Sequence, residues 1–160
     1  MKQLIFTGLY VSIIVALELL ASSLPNVSLT PLLFAVYFAT QKRPMLLISS
    51  YIVLQGLIWS FGFYLISMTL GWLILYGFVR LVKNDLTMMV ASIPFAFLYG
   101  WAFMPLSVVL YGIDPIAYMV ADVPYQIVMA MSNVLTFAVL YTPLKRLLEG
   151  EYGKIRTWWH

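Results

Sequence analysis

From Val123 to Tyr141 the chain runs for 19 residues without a charge. As a helix rising 1.5 Å per residue, such a run is about 28 Å long, close to the hydrocarbon thickness of a bilayer. Asp122 precedes it, and Lys145 and Arg146 follow. The run therefore reads as a membrane span with its basic end in the cytoplasm and a carboxylate able to cap free N–H groups at the other end. Within it Asp122, Gln126, Met129 and Asn133 recur at intervals of four, three and four, which places three polar side chains on one helix face. Lipid offers those groups no hydrogen bonds, so the face must meet protein, water or a ligand. For Asn133 the alternative is a bond between helices, and for Asp122 a cap at the membrane interface.

The remaining sequence obeys the same grammar. At 63% hydrophobic and 9% charged residues, 160 residues are too apolar for a soluble domain. No polar or low-complexity linker divides them, so residues 1–160 are read as one integral membrane domain. There is no cysteine, and His160 is the only histidine, which leaves no thiolate, triad or imidazole cluster for catalysis or metal binding. A catalytic residue, a cofactor and a metal are not expected. A nucleic-acid partner would need an exposed basic face, which the pattern lacks. The apolar start after Lys2 is interrupted by Glu18, and Leu24-Pro25-Asn26 is no small-residue cleavage site, so the segment reads as a retained helix rather than a leader.

Six crossings are expected in an all-α bundle. The first runs from about Leu4 to Leu24 and carries two features. Gly8, Ser12 and Ala16 form a smooth stripe along which another helix could approach closely, or which could pack internally. Glu18 lies about 120° around the helix from that stripe. The second, from about Ser28 to Thr40, is short, with Pro31 tolerable in its first turn, and a re-entrant half-helix is the alternative. The third covers about Met45 to Trp59 and aligns Tyr51, Gln55 and Trp59 at i, i+4 and i+8. An amide beside an indole can grip a flat polar ring. Phe61-Gly62-Phe63 leads to a fourth helix, about Tyr64 to Val79, with Trp72 near its middle. A fifth, about Leu86 to Leu110, is expected to kink at Pro94 and Pro105 and carries Ser92, Tyr99 and Trp101. Asp114-Pro115 marks a fresh helix start, and Pro124 is expected to break the long segment that follows, leaving Asp122 at the junction.

With both ends in the cytoplasm, six crossings place Lys2, Lys42, Arg43, Arg80, Lys83, Lys145, Arg146, Lys154 and Arg156 on one side, which is all nine basic residues. Glu18, Asp114 and Asp122 fall toward the exterior without a basic partner. Carboxylates with Gln55, Trp59, Trp72, Tyr99, Gln126 and Asn133 then outline an outward-facing pocket for a small polar or cationic ring. No phosphate-binding loop or ATPase domain supplies energy.

Leu24-Pro25-Asn26-Val27, Leu70-Gly71-Trp72-Leu73, Phe97-Leu98-Tyr99-Gly100-Trp101 and the closing Tyr141-Thr142-Pro143-Leu144-Lys145-Arg146-Leu147-Leu148, together with the size and six helices, carry a resemblance over nearly the whole chain. The chain resembles the substrate-binding S components of energy-coupling factor (ECF) transporters, importers of vitamins and related micronutrients in prokaryotic plasma membranes. The resemblance implies that substrate is captured from outside and delivered with a separate transmembrane T component and two cytoplasmic ATPases. It also implies that Gly8, Ser12 and Ala16 stand where the family has an Ala-x-x-x-Ala-type docking motif, with glycine and serine replacing two alanines. The acidic pocket favours a pyridoxine-like or hydroxymethylpyrimidine-like ligand over folate or pantothenate, whose carboxylates it would repel. A non-catalytic scaffold similar to the rod-shape determinant family is the alternative, with the polar rows as contacts between helices. An intramembrane enzyme would have only Glu18 and Asp122 to work with.

Overall fold

The computed structural model describes residues 2–21 and 28–157, with side chains over residues 3–21 and 28–150. The described residues form helices and contain no strand. The helices are α1 (Lys2–Ala21), α2 (Thr30–Thr40), α3 (Pro44–Trp59), α4 (Tyr64–Leu81), α5 (Asp85–Trp101), α6 (Met104–Tyr111), α7 (Pro115–Thr136) and α8 (Thr142–Thr157), with a π-helical turn at Phe137–Tyr141 between the last two. Four stretches are long and apolar enough to cross a membrane: Gln3–Ala21, Tyr64–Leu81, Asp85–Tyr111 and Pro115–Gly150. This is the pattern of a multi-pass membrane protein. Thr30–Thr40 and Pro44–Trp59 are apolar but shorter.

The shortest of these apolar stretches, α2, is also the most enclosed. Eight of its eleven residues are buried, from Thr30 to Phe38, as expected of a helix that is apolar all round. At about 16 Å it reaches roughly halfway through a bilayer. The aromatic core is built on it. Phe34 stacks on Trp72 of α4 at 4.0 Å between ring centroids and 16° between planes, while Tyr51 of α3 meets Phe34 and Trp72 edge-on. Aromatic pairs in these geometries add to the burial of their area.

Named contacts relate the directions of several helices. Thr7 and Tyr37 bond through their hydroxyls at 2.6 Å, so the start of α1 lies beside the end of α2. Glu18 meets Tyr51 and Gln55, so the end of α1 lies beside the second half of α3. Phe34 with Trp72 and Phe38 with Tyr76 make α2 and α4 parallel. Asp85 bonds Thr142 and Lys145, and Ser92 bonds Asn133, which sets α5 antiparallel to the segment from α7 to α8.

Several boundaries differ from those read in the sequence. α1 is described as far as Ala21, and the end expected at Leu24 lies outside the described residues, as do Leu24-Pro25-Asn26-Val27, Trp158, Trp159 and His160. The side chains of Lys2, Tyr152, Lys154 and Arg156 lie outside them too. α5 continues through Pro94, and the break falls at Ala102-Phe103, after which Pro105 opens α6. Gly112, at φ 65°, ends that helix in the left-handed region that glycine adopts without strain.

Asp114 caps α7 by accepting from the Ala117 N–H at 2.8 Å. The expected break at Pro124 is absent, and α7 runs unbroken from Pro115 to Thr136. An internal proline removes one backbone bond, a loss that packed neighbours within a bundle can absorb. Irregularity comes later, at the π-helical turn just before Pro143. A widened turn relieves the clash between a proline ring and the carbonyl four residues earlier.

Candidate functional site

Glu18, near the end of α1, is the only acidic residue of that helix. Its Oε2 accepts from the Tyr51 hydroxyl at 2.8 Å and from the Gln55 amide Nε2 at 2.6 Å. Tyr51 and Gln55 are one turn apart on α3 and present their donors on the same side. Both are buried. Among the described residues no lysine or arginine forms an ion pair with Glu18, and its Oε1 takes neither of these bonds. A partly buried carboxylate is thus held by two neutral donors with one oxygen to spare.

Beside Glu18 is a cavity of about 140 Å³. Its wall comes from five helices and the approach to one of them: Glu18 from α1, Ser28 before α2, Thr30 and Pro31 from its first turn, Trp72 from α4, Tyr99 from α5 and Met129 from α7. Trp72 is 2% exposed, and its indole Nε1–H is buried with no hydrogen-bond partner. Tyr99 packs its ring against Trp72 at 5.0 Å, and its hydroxyl makes no hydrogen bond among the described residues. The ring comes so close to α4 that only a residue without a Cβ, Gly71, fits opposite it. Burying a polar group without a partner costs free energy comparable to a lost hydrogen bond. The carboxylate of Glu18 and the hydroxyls of Ser28, Thr30 and Tyr99 belong to residues that line one void, a polar set that a guest could engage, whereas the Trp72 N–H is closed off from it.

The other expected site residues are placed differently. Trp59 is 58% exposed, away from the cavity. At 100° per residue it is rotated about 80° from Tyr51, so the row drifts off the inward face by its third member. Asp122 is not at a helix junction but inside α7, where it accepts from Gln126 Nε2 at 2.8 Å. That pair presses on α5 where Gly100 leaves room, and a Cβ at Gly100 would run into the Gln126 amide. Neither lines the cavity. Gln126 does leave its Oε1 buried and unpaired. Asn133 is 1% exposed and donates to the Ser92 carbonyl across to α5 at 3.4 Å, the helix-to-helix role that was its alternative. Gln55 acts through Glu18 rather than as a cavity wall.

Ser28, Thr30 and Met129 line the cavity although the sequence pattern did not single out the first two as ligand contacts. The only signal is the hydroxyl pair just ahead of Pro31: Ser28 Oγ accepts from the Thr30 N–H at 3.0 Å, which brings both to the opening turn of a buried helix. Gly8, Ser12 and Ala16 face away from the bundle, and a Cβ at Gly8 would meet nothing within 4 Å. The internal-packing alternative for this stripe does not hold.

Two further hollows are larger. A groove of about 390 Å³ between α5 and α7 is lined only by apolar residues, including Ile93, Phe97 and Met131, and suits lipid chains rather than a polar ligand. A second, of about 330 Å³, lies between the start of α4 and α6. Among the described residues no group of three His, Cys, Asp or Glu could hold a metal ion. No protein-family model, curated protein or solved structure matches the chain.

Proposed function

We propose that this chain is the substrate-specific S component of an ECF-type importer, a binding protein without catalytic chemistry of its own. The single observation that carries the reading is the cavity beside Glu18, where a carboxylate with no cationic partner among the described residues borders a small void together with Ser28, Thr30 and Tyr99. Such an arrangement is costly in an apolar bundle unless something is held there. Alternating helix directions support six crossings with both ends in the cytoplasm, and with them all nine basic residues fall on one side of a prokaryotic plasma membrane. The cavity then opens toward the exterior. A pyridoxine-like or hydroxymethylpyrimidine-like vitamin or precursor suits its charge and size.

The stripe of Gly8, Ser12 and Ala16 is exposed among the described residues, as a face that docks a T component carrying two ATPases would be. Calorimetric titration of the purified protein with a vitamin panel tests capture. Micromolar affinity for one member, about −8 kcal/mol, supports it, and no binding tighter than about millimolar contradicts it. Ser12→Leu should leave that affinity intact and prevent copurification with the T component and ATPases.

The polytopic scaffold is the second reading. It is favoured by Asn133 and by the Asp122–Gln126 pair, which are engaged with neighbouring groups. It predicts an empty cavity throughout the panel.

A further inference from the structure

The hollow of about 330 Å³ between the start of α4 and α6 shares no lining residue with the cavity beside Glu18. It lies at the end of the bundle away from Arg80 and Asp85. Its body is apolar, with Phe63 on one side and Phe103, Leu106 and Leu110 on the other, and no charged residue lines it. None of the residues of α6 is buried, so protein packing does not close the space toward α4.

Ser67 supplies the polar element. It is 2% exposed, yet its hydroxyl makes no hydrogen bond among the described residues. Serine and threonine inside helices commonly donate back to a carbonyl one turn earlier, as Thr69 does to Leu65 at 2.7 Å and Ser107 to Phe103 at 3.0 Å. The buried polar atoms sealed off without a partner are the Trp72 and Trp101 indole nitrogens and Gln126 Oε1. Ser67 Oγ is not one of them, so the small part of this residue that reaches open space includes its hydroxyl, and the hollow is the space it lines. The other hydroxyls there are spent or at the rim. Ser107 is bonded as above, Tyr64 donates to the Ser60 carbonyl at 2.9 Å, and Tyr111 is exposed.

We propose that this hollow is a second binding site, for an uncharged amphiphile drawn from the bilayer whose hydroxyl or carbonyl oxygen bonds Ser67. The apolar walls take the body of such a molecule, and its oxygen engages the one inner donor that the fold leaves unused. A charged end is excluded, because nothing in the lining could offset the loss of its hydration. Entry from the bilayer follows from the rim, where Phe63 and Tyr111 are exposed aromatic residues of the kind that sit at the membrane–water boundary. The groove between α5 and α7 has no polar wall and gives an alcohol no advantage over an alkane. The site stands whether or not the cavity beside Glu18 captures a vitamin.

The test is photolabelling of the full-length protein in lipid nanodiscs, read by peptide mass spectrometry. The probes share a decyl chain bearing a diazirine and end in a hydroxyl, a carboxylate or a methyl group. The alcohol should label residues 62–67 and 103–111 about fivefold more than the alkane or the carboxylate, the worth of one neutral hydrogen bond. Residues 127–135, beside the apolar groove, should take alcohol and alkane alike. Ser67→Ala should reduce alcohol labelling at the hollow to the alkane level, and Leu106→Trp, which adds bulk from α6, should remove labelling there by every probe. Monooleoylglycerol added to the nanodisc should compete, whereas glycerol in solution should not. Without a probe, the thermal midpoint of Ser67→Ala should hold or rise, since no hydrogen bond is lost. Equal labelling of the hollow by alcohol and alkane, undiminished labelling of Ser67→Ala, or competition by soluble glycerol overturns the proposal. A fall in the Ser67→Ala midpoint makes Ser67 a packing residue and overturns it as well.

Discussion

Two carboxylates inside this bundle each accept two side-chain hydrogen bonds, yet their surroundings are opposite in kind. Asp85, at the start of α5, accepts from the Lys145 ammonium at 2.9 Å and from the Thr142 hydroxyl at 2.7 Å. Glu18 accepts from a tyrosine and an amide, with no cation. The Asp85 pair sits at a partly exposed rim, 34% and 27% accessible for its two side chains, and both charges are answered. It ties the α5 start to the helix after the π-helical turn. Glu18 borders a void and retains a free oxygen. The difference separates a carboxylate used as a fastener from one kept available, and neutral donors are what keep it available: they hold its position without cancelling its charge.

Exchanging charge for an amide at each end should give opposite outcomes. With Glu18→Gln, the largest effect, affinity for the captured ring should fall at least 100-fold, about 2.8 kcal/mol. The thermal unfolding midpoint should hold or rise, since the side-chain carbonyl still accepts from Tyr51 and Gln55 while a buried charge is removed. A large fall in midpoint with unchanged affinity would make Glu18 a fastener as well. Tyr51→Phe sharpens the contrast by removing one of the two neutral donors. It should cost about 1.5 kcal/mol of stability in a denaturant titration, typical of a hydrogen bond to a charged group, and loosen ligand binding several-fold because the carboxylate is less well positioned. The smallest effect belongs to Asp85→Asn, at about 0.2–1 kcal/mol. It should shrink further in high salt, as expected of an accessible ion pair, and leave ligand affinity unchanged.

Two helix starts were legible because proline marks them, Pro31 and Pro115, whereas Pro105, which also opens a helix, had read as a kink within a longer one. An internal proline misled. Pro124, expected to break its helix, sits inside an unbroken one, since a packed apolar bundle tolerates one missing backbone bond where an isolated helix would not. Inward faces were also legible at short range, as with Gln126, Met129 and Asn133, all buried. What fills the space opposite them was not. Whether a buried polar group meets a neighbour or a void depends on which helices pack together, and that is settled by distant pairs such as Glu18 with Gln55 and Gly100 with Gln126. The rows of α3 and α7 had the same appearance in the sequence. Packing gave one of them to a cavity-lining carboxylate and folded most of the other onto itself and α5.

The most direct measurement is mass spectrometry of small molecules that copurify with the protein, made in parallel on wild type and Glu18→Gln. One single-ring heteroaromatic compound, near stoichiometric with wild type and missing from the variant, is the predicted result. No compound on either protein, or the same compound on both in equal amount, would contradict the claim that Glu18 and its cavity exist to hold a guest.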